Sequence, residues 1–184
     1  MAKTAVVILA EGFEEIEAIA PIDVLRRAGV RVTIAGVSGL QVKSSRGIGV
    51  QADVLLKDVL ELPDAVILHG GVPGTANLAR SEEVGAFIRK MNAAGKLVAA
   101  ICAAPAAVLA PLGILDGKKV TCYPGCESEF SEKTTHSDEA VVVDGNVITS
   151  RGPGTALEFA LAIAVRLAGQ EMADIVRGKM LVGV

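Results

Sequence analysis

Residues 97–106 read Leu97-Val98-Ala99-Ala100-Ile101-Cys102-Ala103-Ala104-Pro105-Ala106. The first five residues are a continuous apolar run, the pattern of a strand covered on both faces. The alanines and the proline that follow start a helix, predicted over 103–110, with almost no residues left for a loop. A strand running straight into a helix is the repeating unit of a parallel α/β sheet. So short a turn is sharp, and the residue at its apex, Cys102, is pushed towards a strained backbone. Small residues two places before and after it, Ala100 and Ala104, suit that crowding, although G-x-S-x-G itself is absent.

The same alternation runs outward in both directions. Strands are predicted at 5–9, 30–37 and 65–68, and helices at 14–28, 82–94, 155–168 and 171–180. Ser81 caps the 82–94 helix and Gly95 stops it. Two hairpins are predicted, one within 40–56 and one around Asp144-Gly145-Asn146. The fold class is therefore α/β, a mostly parallel sheet with helices on both faces. No repeat, linker or boundary divides residues 1–184, which read as one domain. In such sheets ligands bind beyond the carboxyl ends of the strands. That singles out 11–17, 69–74 and 102–105.

Composition narrows the function classes. Of 184 residues, 51% are apolar and 21% charged, and the net charge is -3, as for a globular chain without a basic face. Nucleic acid and anionic membrane are poor partners for it. The longest apolar stretch, 97–112, is too short and too broken by proline to span a bilayer. The N-terminal apolar run is short and leads into Glu11-Gly12-Phe13-Glu14-Glu15, so it reads as a first strand rather than a signal peptide. Three cysteines, an odd number, point to reduced thiols and a cytoplasmic location.

Two readings stand for Cys102. At a helix N-terminus, the dipole and free N–H groups favour a thiolate and an oxyanion. Alternatively it is a small buried hydrophobe. Glu17 bears on the choice. It lies on one helical stripe with Ala20, Pro21, Val24 and Ala28. A carboxyl on an apolar stripe needs a partner, and burial raises its pKa until it can act as an acid or base. The alternative is a partly exposed glutamate. Glu14 and Glu15 read as solvated or as complements to their own helix dipole. Gly70-Gly71-Val72-Pro73-Gly74 follows a strand as a phosphate loop does but is neither G-x-G-x-x-G nor a Walker motif; close backbone approach to the cysteine explains its glycines better. Arg151-Gly152-Pro153-Gly154, before the last long helix, reads as an anion site or, more simply, as a tight turn. Cys122 and Cys126 lack further metal ligands beyond His136 and read as buried or loop thiols, so no metal and no cofactor is expected.

These segments resemble the ThiJ/PfpI superfamily, in the branch of the human parkinsonism-associated deglycase and bacterial YajL. The matching stretches are Glu14-Glu15-Ile16-Glu17, Asp23-Val24-Leu25-Arg26-Arg27-Ala28-Gly29, Ser45-Arg46, Gly70-Gly71, Ala99-Ala100-Ile101-Cys102-Ala103-Ala104-Pro105 and Thr149-Ser150-Arg151-Gly152-Pro153-Gly154-Thr155. The resemblance implies a flavodoxin-like three-layer sandwich and a homodimer. It implies a reactive, oxidisable Cys102 contacted by Glu17. Oxyanion donors would come from the backbone of Gly70, Gly71 and Ala103, and Arg27 and Arg46 would stand near the site at the dimer interface. The family's usual histidine near the cysteine falls at Lys133 here, or at His136 if the loop carries a gap. A strand-end His69 replaces a common proline and is either a proton shuttle or simply structural. Gln51 takes the place of a second family cysteine.

The resemblance implies three functions. The first is a glutathione-independent glyoxalase or deglycase acting on methylglyoxal, glyoxal or early glycation adducts, with Cys102 as nucleophile and Glu17 and His136 as proton carriers. The second is a redox sensor or chaperone working through oxidation of Cys102. The third is a cysteine peptidase or amidase, which needs a paired histidine.

Overall fold

The computed structural model describes residues 2–183. In chain order the strands and helices are β1 (Thr4–Leu9), α1 (Glu15–Arg27), β2 (Arg31–Gly36), β3 (Gln41–Lys43), β4 (Gly49–Gln51), β5 (Val54–Leu55), β6 (Ala65–Leu68), α2 (Gly74–Arg80), α3 (Glu82–Ala93), β7 (Leu97–Ile101), β8 (Lys119–Val120), β9 (Thr135–His136), β10 (Val141–Asp144), β11 (Val147–Ser150), α4 (Ala156–Ala168) and α5 (Gln170–Lys179). Seven strands form one sheet in the order β10-β11-β7-β6-β1-β2-β5. All its pairings are parallel except β10 with β11, which form the predicted hairpin across Asp144-Gly145-Asn146.

Alternation along each strand feeds two cores. Val7 and Leu9 of β1, Ile67 of β6 and Ala99 and Ile101 of β7 join Leu25 of α1 and Phe159 and Ile163 of α4 on one face. Val6 and Ile8, Val66 and Leu68, and Val98 and Ala100 join Leu78, Ile88 and Met91 of α2 and α3 on the other. From Ala5 in β1 and throughout β6 and β7 the central strands are therefore apolar and buried, and the molecule is a three-layer, flavodoxin-like sandwich.

Two predicted elements differ. The helix expected at 103–110 is a π turn at Pro105–Leu109 followed by a 3₁₀ turn at Ala110–Leu112, ended by left-handed Gly113. Pro111 cannot donate to an α-helical ladder, which limits the segment. Helix α2 was not predicted. It has seven residues and no side-chain cap, and its first residue is a glycine. That glycine is needed because a Cβ on Gly74 would lie 2.5 Å from the Gly12 carbonyl oxygen.

Helix α1 starts as its sequence indicates. The Glu14 carboxylate caps it by accepting the Glu17 N–H at 2.8 Å. Glu15 accepts from the hydroxyls of Ser44 and Ser45 and from the Arg46 N–H, tying the β3–β4 hairpin to the helix. Among the described residues no helix is long and apolar enough to cross a membrane.

Candidate active site

β1, β6 and β7 are neighbours in the sheet and run parallel, so their carboxyl ends open at one edge. Residues 10–17, 69–74 and 102–105 meet there. Cys102 follows β7 directly with φ 66°, in the left-handed region that side chains avoid. Among the described residues only Leu181 shares that conformation outside glycine. Holding it costs about 1–2 kcal/mol. Its N–H donates to the Ser150 carbonyl at 2.9 Å, and its own carbonyl accepts the Tyr123 N–H at 2.8 Å. The end of β11 and the loop after β8 thus pin the strained residue. Ala100 and Ala104 are fully buried beside it.

Glu17 is fully buried. Its Oε2 accepts the Gly70 N–H at 2.7 Å, and the carboxyl bonds to the Cys102 thiol. Oε1 is buried and, among the described residues, has no hydrogen-bond partner. Burial pushes this carboxyl up to about 7; the bonds to Cys102 and Gly70 oppose the rise, and the charge of Glu14 adds to it. Burial likewise pushes the Cys102 thiol up, followed by the charge and hydrogen bond of Glu17. The N–H groups of Ala103 and Gly71 point at the sulfur and pull it down. The expectation that a helix N-terminus alone makes the thiol acidic is therefore corrected. Only a π turn follows the cysteine, and desolvation outweighs two amides. The two groups titrate as a coupled pair, and a proton on Glu17 removes the charge that opposes the thiolate.

The glycines are explained by contact. A Cβ on Gly70 would lie 2.6 Å from Cys102 Cβ, 2.6 Å from Glu17 Oε2 and 2.9 Å from Cys102 Sγ. Gly71 has φ 96° and lies against the backbone of Gly12 and Glu14. Gly70→Ala is expected to destabilise the fold by about 1–3 kcal/mol and to displace the thiol from the carboxyl. Denaturant midpoints and the alkylation rate of Cys102 by iodoacetamide check both effects. Because the Gly70 N–H is taken by Glu17, the backbone donors at the sulfur are Gly71 and Ala103, and Gly70 leaves that set.

His69 is buried and structural. Its Nε2 accepts the Ala10 N–H at 3.1 Å, so Nδ1 carries the proton and donates to the Gly70 carbonyl at 2.6 Å. Burial lowers its pKa to about 4, against the pull of the Gly70 carbonyl, and it stays neutral. With both nitrogens engaged it is no shuttle. His69→Leu strands a buried N–H and is expected to cost about 1–3 kcal/mol, read by denaturant unfolding.

The other expected residues lie elsewhere. His136 lies on β9 with its ring near Cys122 and Glu127, and Cys102 has Glu17, Gly71 and Ala103 as its partners instead. Lys133 is an exposed lysine paired with Asp116. Arg27 pairs with Asp23 near the far end of α1, about 15 Å along the helix from Glu17. Arg46 is in the exposed turn between β3 and β4. Neither arginine reaches the Cys102 of its own chain through these contacts. Tyr123 was missed. With Pro124, Arg151 and Gly152–Thr155 it lines a depression of about 320 Å³ beside the Cys102 backbone. A tyrosine in an unpatterned loop carries no sequence signal for this.

Comparison with known proteins agrees with the fold. Residues 3–166 match the DJ-1/PfpI family. Drosophila melanogaster protein dj-1beta is 47% identical over 185 residues, covering 99% of this chain and 98% of that protein. The Caenorhabditis elegans glutathione-independent glyoxalase DJR-1.2 is 40% identical over 171 residues, covering 92% and 91%. The crystal structure of Drosophila DJ-1beta superposes with a TM-score of 0.95 at 46% identity over all of both chains. Oxidised Toxoplasma gondii DJ-1 also gives 0.95, at 38% identity over all of both chains. With a strained cysteine against a buried carboxyl at the shared sheet edge, the chain belongs to the DJ-1/PfpI family.

Proposed function

We propose that this protein converts small 2-oxoaldehydes, methylglyoxal or glyoxal, or their early glycation adducts, to hydroxy acids in the cytoplasm without glutathione. The observation that carries this reading is the Cys102–Glu17 pair, closed by the Gly71 and Ala103 N–H groups. Similarity to a relative named as a glutathione-independent glyoxalase supports it.

The chemistry follows from the pair. Cys102, deprotonated by transfer to Glu17, attacks the aldehyde carbon, and a C–S bond forms. The aldehyde oxygen takes up a proton, giving a hemithioacetal beside the Gly71 and Ala103 N–H groups. Glu17 removes the proton from the former aldehyde carbon, giving an enediol, and reprotonates the adjacent carbon. The result is a thioester of the hydroxy acid. Water hydrolyses it, the C–S bond breaks, and thiol and hydroxy acid are released. Overall one water is added and no external oxidant is consumed. A homodimer that brings Arg27 or Arg46 of a second copy to this edge would add a positive charge for the substrate oxygens.

The test is lactate formation from methylglyoxal by the reduced protein without glutathione, with Cys102→Ser as control. Activity in the wild type that is lost in the variant is expected; no activity in fully reduced wild type overturns the reading. A second reading, a sensor in which Cys102 is oxidised to the sulfinic acid, draws on the same Gly71 and Ala103 donors. It predicts peroxide oxidation of Cys102 with no turnover. The peptidase reading needs a paired histidine, and among the described residues Cys102 is paired with Glu17 instead.

A further inference from the structure

A second cluster of reactive groups lies in the loop after β8. Parallel pairing of β8 with β9 sets Val120 opposite His136, and the Ser137 N–H donates to the Val120 carbonyl at 2.8 Å. Thr121 is fastened to β11 by its N–H, which donates to Thr149 Oγ1 at 2.9 Å. Cys122 comes next and is fully buried. The chain then turns through Gly125, at φ 92°, into a 3₁₀ turn at Glu127–Glu129 that brings Glu127 back. The Cys122 sulfur, a Glu127 carboxylate oxygen and a His136 ring nitrogen all lie within 4.8 Å of one another.

Each group is presented as a ligand. Glu127 Oε2 accepts the Gly125 N–H at 2.7 Å, leaving Oε1 for another partner. The His136 ring is steadied by Phe130, with centroids 6.2 Å apart. Cys126 is near enough for its charge to act on Cys122. Arg151 also acts on Cys122, but Asp138 binds its guanidinium and balances its charge. None of these side chains contacts the Cys102 thiol, so the function proposed above does not account for them.

We propose that Cys122, Glu127 and His136 bind a borderline-soft divalent transition ion of the zinc type, with Cys126 or water completing a tetrahedron. One thiolate, one imidazole and one carboxylate are the donor set such ions select. Tetrahedral zinc holds ligand atoms roughly 3.5 Å apart, so side-chain rotations of about 1 Å close the site. The sequence reading of two loop thiols without further ligands is thereby revised. Glu127 was invisible as a partner because only the turn at Gly125 folds it back onto Cys122. A bound ion would fasten the loop whose Tyr123 borders the Cys102 backbone.

The test is titration of the full-length reduced protein with Co²⁺, then displacement by Zn²⁺. One Co²⁺ per chain is expected, with a thiolate-to-metal band in the near ultraviolet that Zn²⁺ abolishes. The band should vanish in Cys122→Ser and persist in Cys102→Ser. His136→Gln and Glu127→Gln alter more exposed side chains than Cys122 and should weaken binding by about tenfold or more. No band in the wild type, a band lost in Cys102→Ser, or unchanged affinity in both surface variants overturns the proposal. Because the readout is spectroscopic, it stands or falls apart from the glyoxalase reading.

Discussion

Cys102→Ser is expected to lower lactate formation from methylglyoxal by about a thousandfold or more, with little change in stability. A serine hydroxyl is far less acidic than a thiol, and among the described residues no histidine stands beside it to take its proton. The change is nearly isosteric and keeps the same backbone, φ 66°, so the strain is unchanged. Thermal unfolding should therefore move by no more than about 1 kcal/mol equivalent. Mass spectrometry after peroxide treatment gives a second reading of the same variant. The wild type should gain two oxygens at Cys102 while Cys122, fully buried, stays unmodified. Residual lactate formation near wild-type level in Cys102→Ser would remove the cysteine from the reaction.

Glu17→Gln is expected to cost about a hundredfold or more in turnover, because an amide cannot carry the proton between carbons. Alkylation of Cys102 by iodoacetamide needs no such transfer and should continue. This separates a proton carrier from a residue that only shapes the thiol. The same substitution has a stability signature. The Glu17 carboxyl is raised from its ordinary value to about 7 by burial, so the native state holds a proton that the unfolded chain has released. Its contribution is fully present below the ordinary carboxyl range and is lost as pH rises towards and through about 7. The wild type should lose of order 3 kcal/mol between pH 4.5 and pH 8 from this group, and Glu17→Gln should lose much less. Denaturant unfolding at the two pH values measures the difference. Parallel pH curves would show that Glu17 is ionised throughout.

Much of this was legible because the signals were local. Five apolar residues followed by Cys102 and a helix-forming segment specify a strand and an abrupt turn, since solvent exclusion and chain continuity leave no other arrangement. The strand limits at 65–68 and 97–101 agree with the structure to the residue: the first run is bounded by Asp64 and His69, the second by Lys96 and the turn at Cys102. Glu17 was legible from its place on an apolar helical stripe, and its burial and raised pKa followed. The cysteine's acidity was not legible. It depends on how deeply the thiol is desolvated and on a carboxylate 85 positions away in the chain.

The histidines make the same distinction. Strand position alone made His69 a candidate shuttle; two hydrogen bonds to Ala10 and Gly70 make it a fixture of the β1–β6 edge. Spacing allowed His136 a place near Cys102; strand pairing with Val120 carries it to Cys122 and Glu127 instead. By itself, then, the sequence determined the α/β architecture, the abrupt turn at Cys102 and the carboxyl on the apolar stripe of α1, since each follows from hydrophobic periodicity within a few turns of chain. Only the tertiary structure decided which N–H groups face the sulfur, how burial shifts the carboxyl and the thiol, and which side chains gather around Cys122. Those depend on contacts between distant segments, where burial and a few tenths of an ångström set the energies.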